Sequence, residues 1–92
     1  MEDIVLNKND YRMLNKLMDS ECYSPMESLT LKALSESTKM SISNLRIIKS
    51  NFLLMGLIKE GAKDGNSKTY YITEKGENHV RKAFGITDVE EE

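Results

Sequence analysis

Residues 29–73 read LTLKALSESTKMSISNLRIIKSNFLLMGLIKEGAKDGNSKTYYIT, and start and stop signals follow one another closely along them. Leu29, Leu31 and Leu34 mark the start of a helix that Thr30 can cap, with Lys32, Ser35 and Glu36 turned to solvent. A turn from Ser37 to Met40 follows, and Met40 is placed to tuck between this helix and the next. Ser41 is a good cap for the next helix, whose Ile42, Leu45, Ile48, Phe52 and Met55 recur at intervals of three and four and so share an inward face. Gly56 can end it in a left-handed conformation. Leu57 and Ile58 then begin a strand, and the polar run Lys63-Asp64-Gly65-Asn66-Ser67-Lys68 separates LIKEGA from TYYIT as the turn of a hairpin. Helix, turn, helix, hairpin predicts a mainly α chain with a small β-hairpin, an α+β class.

Working outward, Asp10 is read as the cap of an earlier helix carrying Tyr11, Leu14, Leu17 and Met18 on one face and Arg12, Asn15, Lys16 and Asp19 on the other. Residues 20–28 hold the only proline, Pro25, show no period, and read as a connection with Cys22, Tyr23 and Met26 as apolar anchors. Thr73 can cap a last helix with Glu74 and Glu77 in its first turn and Val80, Ala83 and Phe84 on its apolar face, ended by Gly85. Residues 1–85 are expected to form one domain and residues 86–92 an acidic, solvated tail.

With 92 residues and 39% apolar side chains, one modest core is possible, and association with a second copy would add to it. No apolar run is long enough to span a membrane, and the start MEDIVLNKND lacks the layout of a signal peptide, so a soluble, cytoplasmic protein is expected. The net charge of −2 hides a segregation along the chain. Residues 31–75 carry eight basic and four acidic side chains, residues 1–30 three basic and six acidic, and residues 76–92 two basic and five acidic. The cationic block coincides with the helix-turn-helix and hairpin, where a nucleic-acid surface would need it.

On the second helix of that unit, Ser43, Asn44, Arg46, Ile47 and Ser50 point outward and Lys49 lies at the boundary. Arg46 can pair bidentately with guanine and Asn44 with adenine in a major groove, while the Ser41-capped N-terminus favours a phosphate. Lys63 and Lys68, flanking Asn66 and Ser67 on the hairpin turn, suit phosphate oxygens. A solvated helix face and a lysine-guarded edge hairpin are the plain alternatives. Of the adjacent Tyr70 and Tyr71, one should pack inward and the other face out. Ile47, Leu53 and Leu54 fall partly off the inward stripe and, with Met13, Met18 and the Ile4–Leu6 patch, suggest a homodimer surface; a thicker core is the alternative.

No catalytic or metal-binding constellation is legible. The carboxylates are scattered, His79 has no nucleophile beside it, no glycine-rich loop precedes a helix, and one cysteine with one histidine makes no metal cluster, so neither enzyme chemistry nor a cofactor is expected. Cys22 reads as a small buried hydrophobe.

The Leu-Thr-Leu start with Ala33-Leu34, Ser41 with Ser43, the Met55-Gly56-Leu57-Ile58 stop, and Tyr70-Tyr71-Ile72-Thr73 running into Glu74-Lys75-Gly76 resemble the winged helix-turn-helix superfamily of prokaryotic and viral DNA-binding proteins, particularly its MarR-like type. That resemblance implies a homodimer with paired reading helices in DNA. By position it puts Ser43, Asn44, Arg46 and Ile47 on the reading helix and Lys63, Asn66, Ser67 and Lys68 on the wing. Ile47 departs from the polar or basic residue common there, and from the brevity of the sequence neither a long C-terminal dimerisation helix nor an effector pocket is expected. Small winged helices of this size also resemble the centromere-binding adaptors of tubulin-like plasmid and phage partition systems, in which the reading helix contributes to the dimer interface. A sequence-specific repressor is therefore the first expectation, a partition adaptor handing DNA repeats to a filament-forming nucleotidase the second, and a protein-interaction module that has lost DNA binding the third.

Overall fold

The computed structural model describes residues 6–84, apart from the side chain of Phe84. Within them α1 (Lys8–Asp19), β1 (Leu29–Thr30), α2 (Leu31–Thr38), α3 (Ile42–Met55), β2 (Ile58–Glu60), β3 (Thr69–Ile72) and α4 (Glu74–Phe84) follow in order. The expected residues Ile4 and Val5, the Gly85 stop and the tail of residues 86–92 lie outside the described residues.

Local chemistry sets most of the boundaries. The cap of α1 is Asn7 rather than Asp10: the Asn7 side chain accepts the Asp10 N–H, and the Asp10 carboxylate accepts the Asn7 N–H, both at 2.9 Å. Asp10 therefore closes a reciprocal capping box from inside the helix. Thr30 caps α2 and Ser41 caps α3 through side-chain oxygens, as expected. Gly56 ends α3 at φ 78°. The Thr73 hydroxyl donates to the Gly56 carbonyl at 2.7 Å and accepts the Gly76 N–H at 3.1 Å, joining the end of α3 to the start of α4.

The expected hairpin is part of a three-stranded antiparallel sheet of order β1-β3-β2. Leu29 pairs with Tyr70 and Thr30 with Thr69, while Ile58, Lys59 and Glu60 pair with Ile72, Tyr71 and Tyr70. Leu29 and Thr30 thus serve as a short strand before α2 begins. Tyr70 is buried and Tyr71 half-buried against the core.

One core joins Met13, Leu14 and Leu17 of α1 to Leu34, Leu45, Phe52, Leu57, Ile58, Ile72 and Val80. Cys22 is buried beside it, which raises its thiol pKa, with Glu27 adding to the effect. Several expectations change with this packing, and of the expected apolar anchors in the connection only Cys22 is buried, Tyr23 and Met26 being exposed. Met13 is fully buried, so it cannot line a dimer surface in this fold; the angular step of α1 carries it inward beside Leu14 and Leu17. Met18 is half-buried against the core. Ile42, in the first turn of α3, is exposed rather than inward, since burial on this helix begins at Leu45. Ala83 is exposed, because α4 turns its Val80 face to the core and leaves its last turn in solvent.

Candidate nucleic-acid interface

Because α3 buries Leu45, Ile48 and Phe52, the opposite side of the same helix is left to solvent. Ser43, Arg46, Ile47, Ser50 and Leu54 lie along it at helical spacing, all exposed. The strip changes character along its length. Its N-terminal half is polar, with Ser43 and Arg46, and its C-terminal half ends on Leu54 at 88% exposure, with Ile47 at 64% between them. Arg46 forms no hydrogen bond or ion pair among the described residues, so its guanidinium fork is open to a planar acceptor. Asn44 is half-buried at the edge of the strip, and its N–H is held by the Ser41 hydroxyl at 3.2 Å. Ser41 is exposed at the cap.

Two expected residues sit differently. The Lys49 ammonium lies 5.9 Å from the centre of the Tyr70 ring, a cation–π contact that ties α3 to β3, so this lysine is half-buried and turned toward the sheet. Leu53 is half-buried and packed on the core, whereas Ile47 and Leu54 are free of it.

The hairpin turn is built by reciprocal backbone bonds between Asp64 and Ser67, at 2.9 and 3.0 Å, around Gly65 and Asn66. Gly65 has φ 65°, the conformation a two-residue II′ turn demands at its first central position. Lys63, Asn66, Ser67 and Lys68 are all exposed there. Lys68 pairs with Glu60 at 3.6 Å, both partners being about half-exposed, and such a surface pair is worth about 0–1 kcal/mol, little enough to be exchanged for a phosphate. Lys63 has no ion-pair partner among the described residues.

The sequence did not single out what fastens this hairpin. The Ser28 hydroxyl donates to Thr69 Oγ1 at 2.7 Å, Thr69 Oγ1 donates to the Ala62 carbonyl, and the Ala62 N–H donates to the Pro25 carbonyl at 2.8 Å. Thr69 is buried, and these bonds lash the base of the hairpin to the connection before β1. The only available signal was a threonine and a serine at the edges of apolar segments, which occur throughout proteins. The far end of α3 is held similarly, by the Lys75 ammonium on the Met55 carbonyl at 2.9 Å.

Among the described residues no group of three or more metal-ligating side chains occurs, and no helix is long and apolar enough to cross a membrane. His79 stacks on Tyr11 with ring centres 6.1 Å apart, between α1 and α4.

No family model matches the chain. It is 38% identical over 73 residues to the DNA-binding protein TubR of a Clostridium botulinum C phage, a match covering 79% of this chain and 90% of that protein. The solution structure of the DNA-binding TubR fragment from Clostridium botulinum superposes with a TM-score of 0.71 at 35% identity, over 87% of this chain and 99% of that one. TubR from Bacillus megaterium pBM400 gives 0.76 at 20% identity over 86% and 87%. The PcaV transcriptional regulator from Streptomyces coelicolor, solved with its natural ligand, gives 0.71 at 19% identity over 88% of this chain and 54% of that one. The last two likenesses show that the winged helix-turn-helix fold is common to regulators and TubR proteins alike.

Proposed function

This chain belongs to the TubR family of DNA-binding proteins, and on that premise we propose that it binds specific double-stranded DNA as a homodimer and acts as the centromere-binding adaptor of a tubulin-like partition system. The observation that carries the DNA reading is the exposed, unpartnered Arg46 on the outer face of α3, with a two-lysine wing on the same fold. In this reading Ser43, Asn44, Arg46 and Ser50 meet base edges and Ser41 a phosphate at the helix N-terminus. Lys63, Asn66, Ser67 and Lys68 follow the backbone. Lys49 acts chiefly by bracing α3 on the sheet. The chain works by binding, without catalysis or a cofactor.

Family membership moves the adaptor ahead of the repressor. A repressor keeps support from the shared fold, since PcaV is a transcriptional regulator, but at 19% identity that likeness carries the fold alone. The exposed pair Ile47 and Leu54 supports a dimer made through α3 itself, with Leu53 contributing from its half-buried position. The partner beyond DNA is then a filament-forming nucleotidase that collects the bound dimers. Residues 1–85 form the binding domain, and the acidic residues 86–92 are its appendage.

Footprinting of the chain on the DNA upstream of its own gene separates the two roles. An adaptor protects an array of direct repeats, filled cooperatively; a single protected palindrome over a promoter would return the repressor to first place.

A further inference from the structure

A second cationic feature lies outside the reading helix and the wing. Asn15 and Lys16 of α1, with Ser37, Thr38 and Lys39 from the end of α2, line an open cleft of about 380 Å³. Arg12 is at its wall, donating to the Thr38 carbonyl, and Asp19 is its one carboxylate. Lys39 is the left-handed residue that ends α2, at φ 66°, which throws its side chain clear of the helix. Neither Lys16 nor Lys39 has an ion-pair partner among the described residues. The carbonyl end of α2 would ordinarily repel an anion, but the Arg12 guanidinium sits on that end and offsets its partial negative charge.

We propose that this cleft is a phosphate-binding site that grips the DNA backbone beside the groove α3 enters, with Lys16 and Lys39 as the anion-binding cations, Asn15 as an added donor and Arg12 as the positioning residue. The proposal rests on the DNA-binding function proposed above. Only Met40 separates Lys39 from Ser41, so its Cα lies within about 7.6 Å of the cap of α3 at about 3.8 Å per residue. A helix whose N-terminus enters a major groove about 12 Å wide has phosphates along both walls, and a lysine this close to that terminus meets one of them. Every residue that lines the cleft is polar or charged by type. A docked protein segment would call for an apolar anchor in a desolvated pocket, which this cleft does not offer. The wing and the cleft then give the backbone two separate points of attachment per protomer, which fixes the angle at which α3 lies in the groove.

Anisotropy titrations of the full chain, on a duplex carrying its protected site and on a scrambled duplex, each over a salt series, test this. The Lys16→Gln/Lys39→Gln variant is expected to bind both duplexes more weakly by the same factor. Its plot of log affinity against log salt should be shallower by about two, at roughly 0.9 for each phosphate that is no longer neutralised. Lys16→Arg/Lys39→Arg should restore the slope. A glutamine variant indistinguishable from the parent, on a parent that binds with a steep salt dependence, overturns the cleft and leaves the DNA function standing. A parent that binds neither duplex removes the DNA function, and the cleft with it. Unchanged DNA binding together with lost binding of a labelled poly-glutamate peptide assigns the cleft to an acidic protein partner and also overturns the proposal.

Discussion

Gly76 shows how one residue without a side chain sets the packing of the C-terminal helix. A Cβ on it would lie 2.3 Å from the Leu57 carbonyl oxygen and 2.8 Å from Ile72 Cγ1, and the nearer atom is backbone that cannot swing aside. Gly76→Ala must push α4 off the α3–β2 junction, and is expected to cost about 1–3 kcal/mol in a denaturant titration, the usual range for overpacking. A loss of less than about half a kcal/mol would mean that α4 adjusts freely. At this scale the sequence was legible where a residue acts on its immediate neighbours. Thr30, Ser41, Gly56 and Thr73 cap or stop helices as their types require. It misled at Asp10, which suits a cap by type: only the reciprocal bond with Asn7, three residues earlier, shows that Asp10 lies inside the helix and Asn7 outside it. Lys49 was ambiguous for another reason, since its place over Tyr70 depends on how α3 meets a strand far along the chain.

Helix α3 is an element held at both ends. Ser41 takes the Asn44 N–H at one end, while Gly56, Thr73 and Lys75 satisfy carbonyls at the other. Its orientation is thus set by bonds as well as by the burial of Leu45, Ile48 and Phe52. Ser41→Ala is expected to lower stability by about 1 kcal/mol in thermal or denaturant unfolding, the usual value of such a cap. It should also weaken DNA binding more than that loss explains, because the frayed turn carries Ser43 and Asn44; equal stability with and without the hydroxyl would show that the cap is idle. The helices were legible from periodicity because each makes its own hydrogen bonds. Strand β1 was not, because two residues hold no pattern and their pairing with Thr69 and Tyr70 is decided only when the chain closes. For the same reason the ties from Ser28 and Thr69 that anchor the wing escaped the sequence.

For the whole molecule, the division of charge is the property that matters: a net charge of −2 is compatible with DNA binding because the cationic residues are concentrated in residues 31–75. The outer strip of α3 carries Arg46 toward its start and Leu54 at its end, the arrangement that the proposed division of one helix between a DNA groove and a second copy requires. Leu54→Glu changes a side chain that is 88% exposed and so leaves the fold intact. It is expected to halve the mass found by sedimentation equilibrium, and an unchanged mass would take Leu54 out of the interface. That strip was partly legible in the sequence, through Ile47, Leu53 and Leu54 falling off the inward stripe, but the exposure of Ile47 and Leu54 and the half-burial of Leu53 were not, since they depend on how α3 packs against the rest of the core. The decisive measurement is an anisotropy titration of the chain and of Arg46→Ala on the DNA upstream of its own gene, with salt varied. Tight binding by the parent chain is expected, falling steeply as salt rises, with Arg46→Ala losing about 1–3 kcal/mol on that DNA and much less on a scrambled duplex. Absence of binding at low salt, or an Arg46→Ala variant that binds as the parent does, would contradict a DNA-reading role for α3.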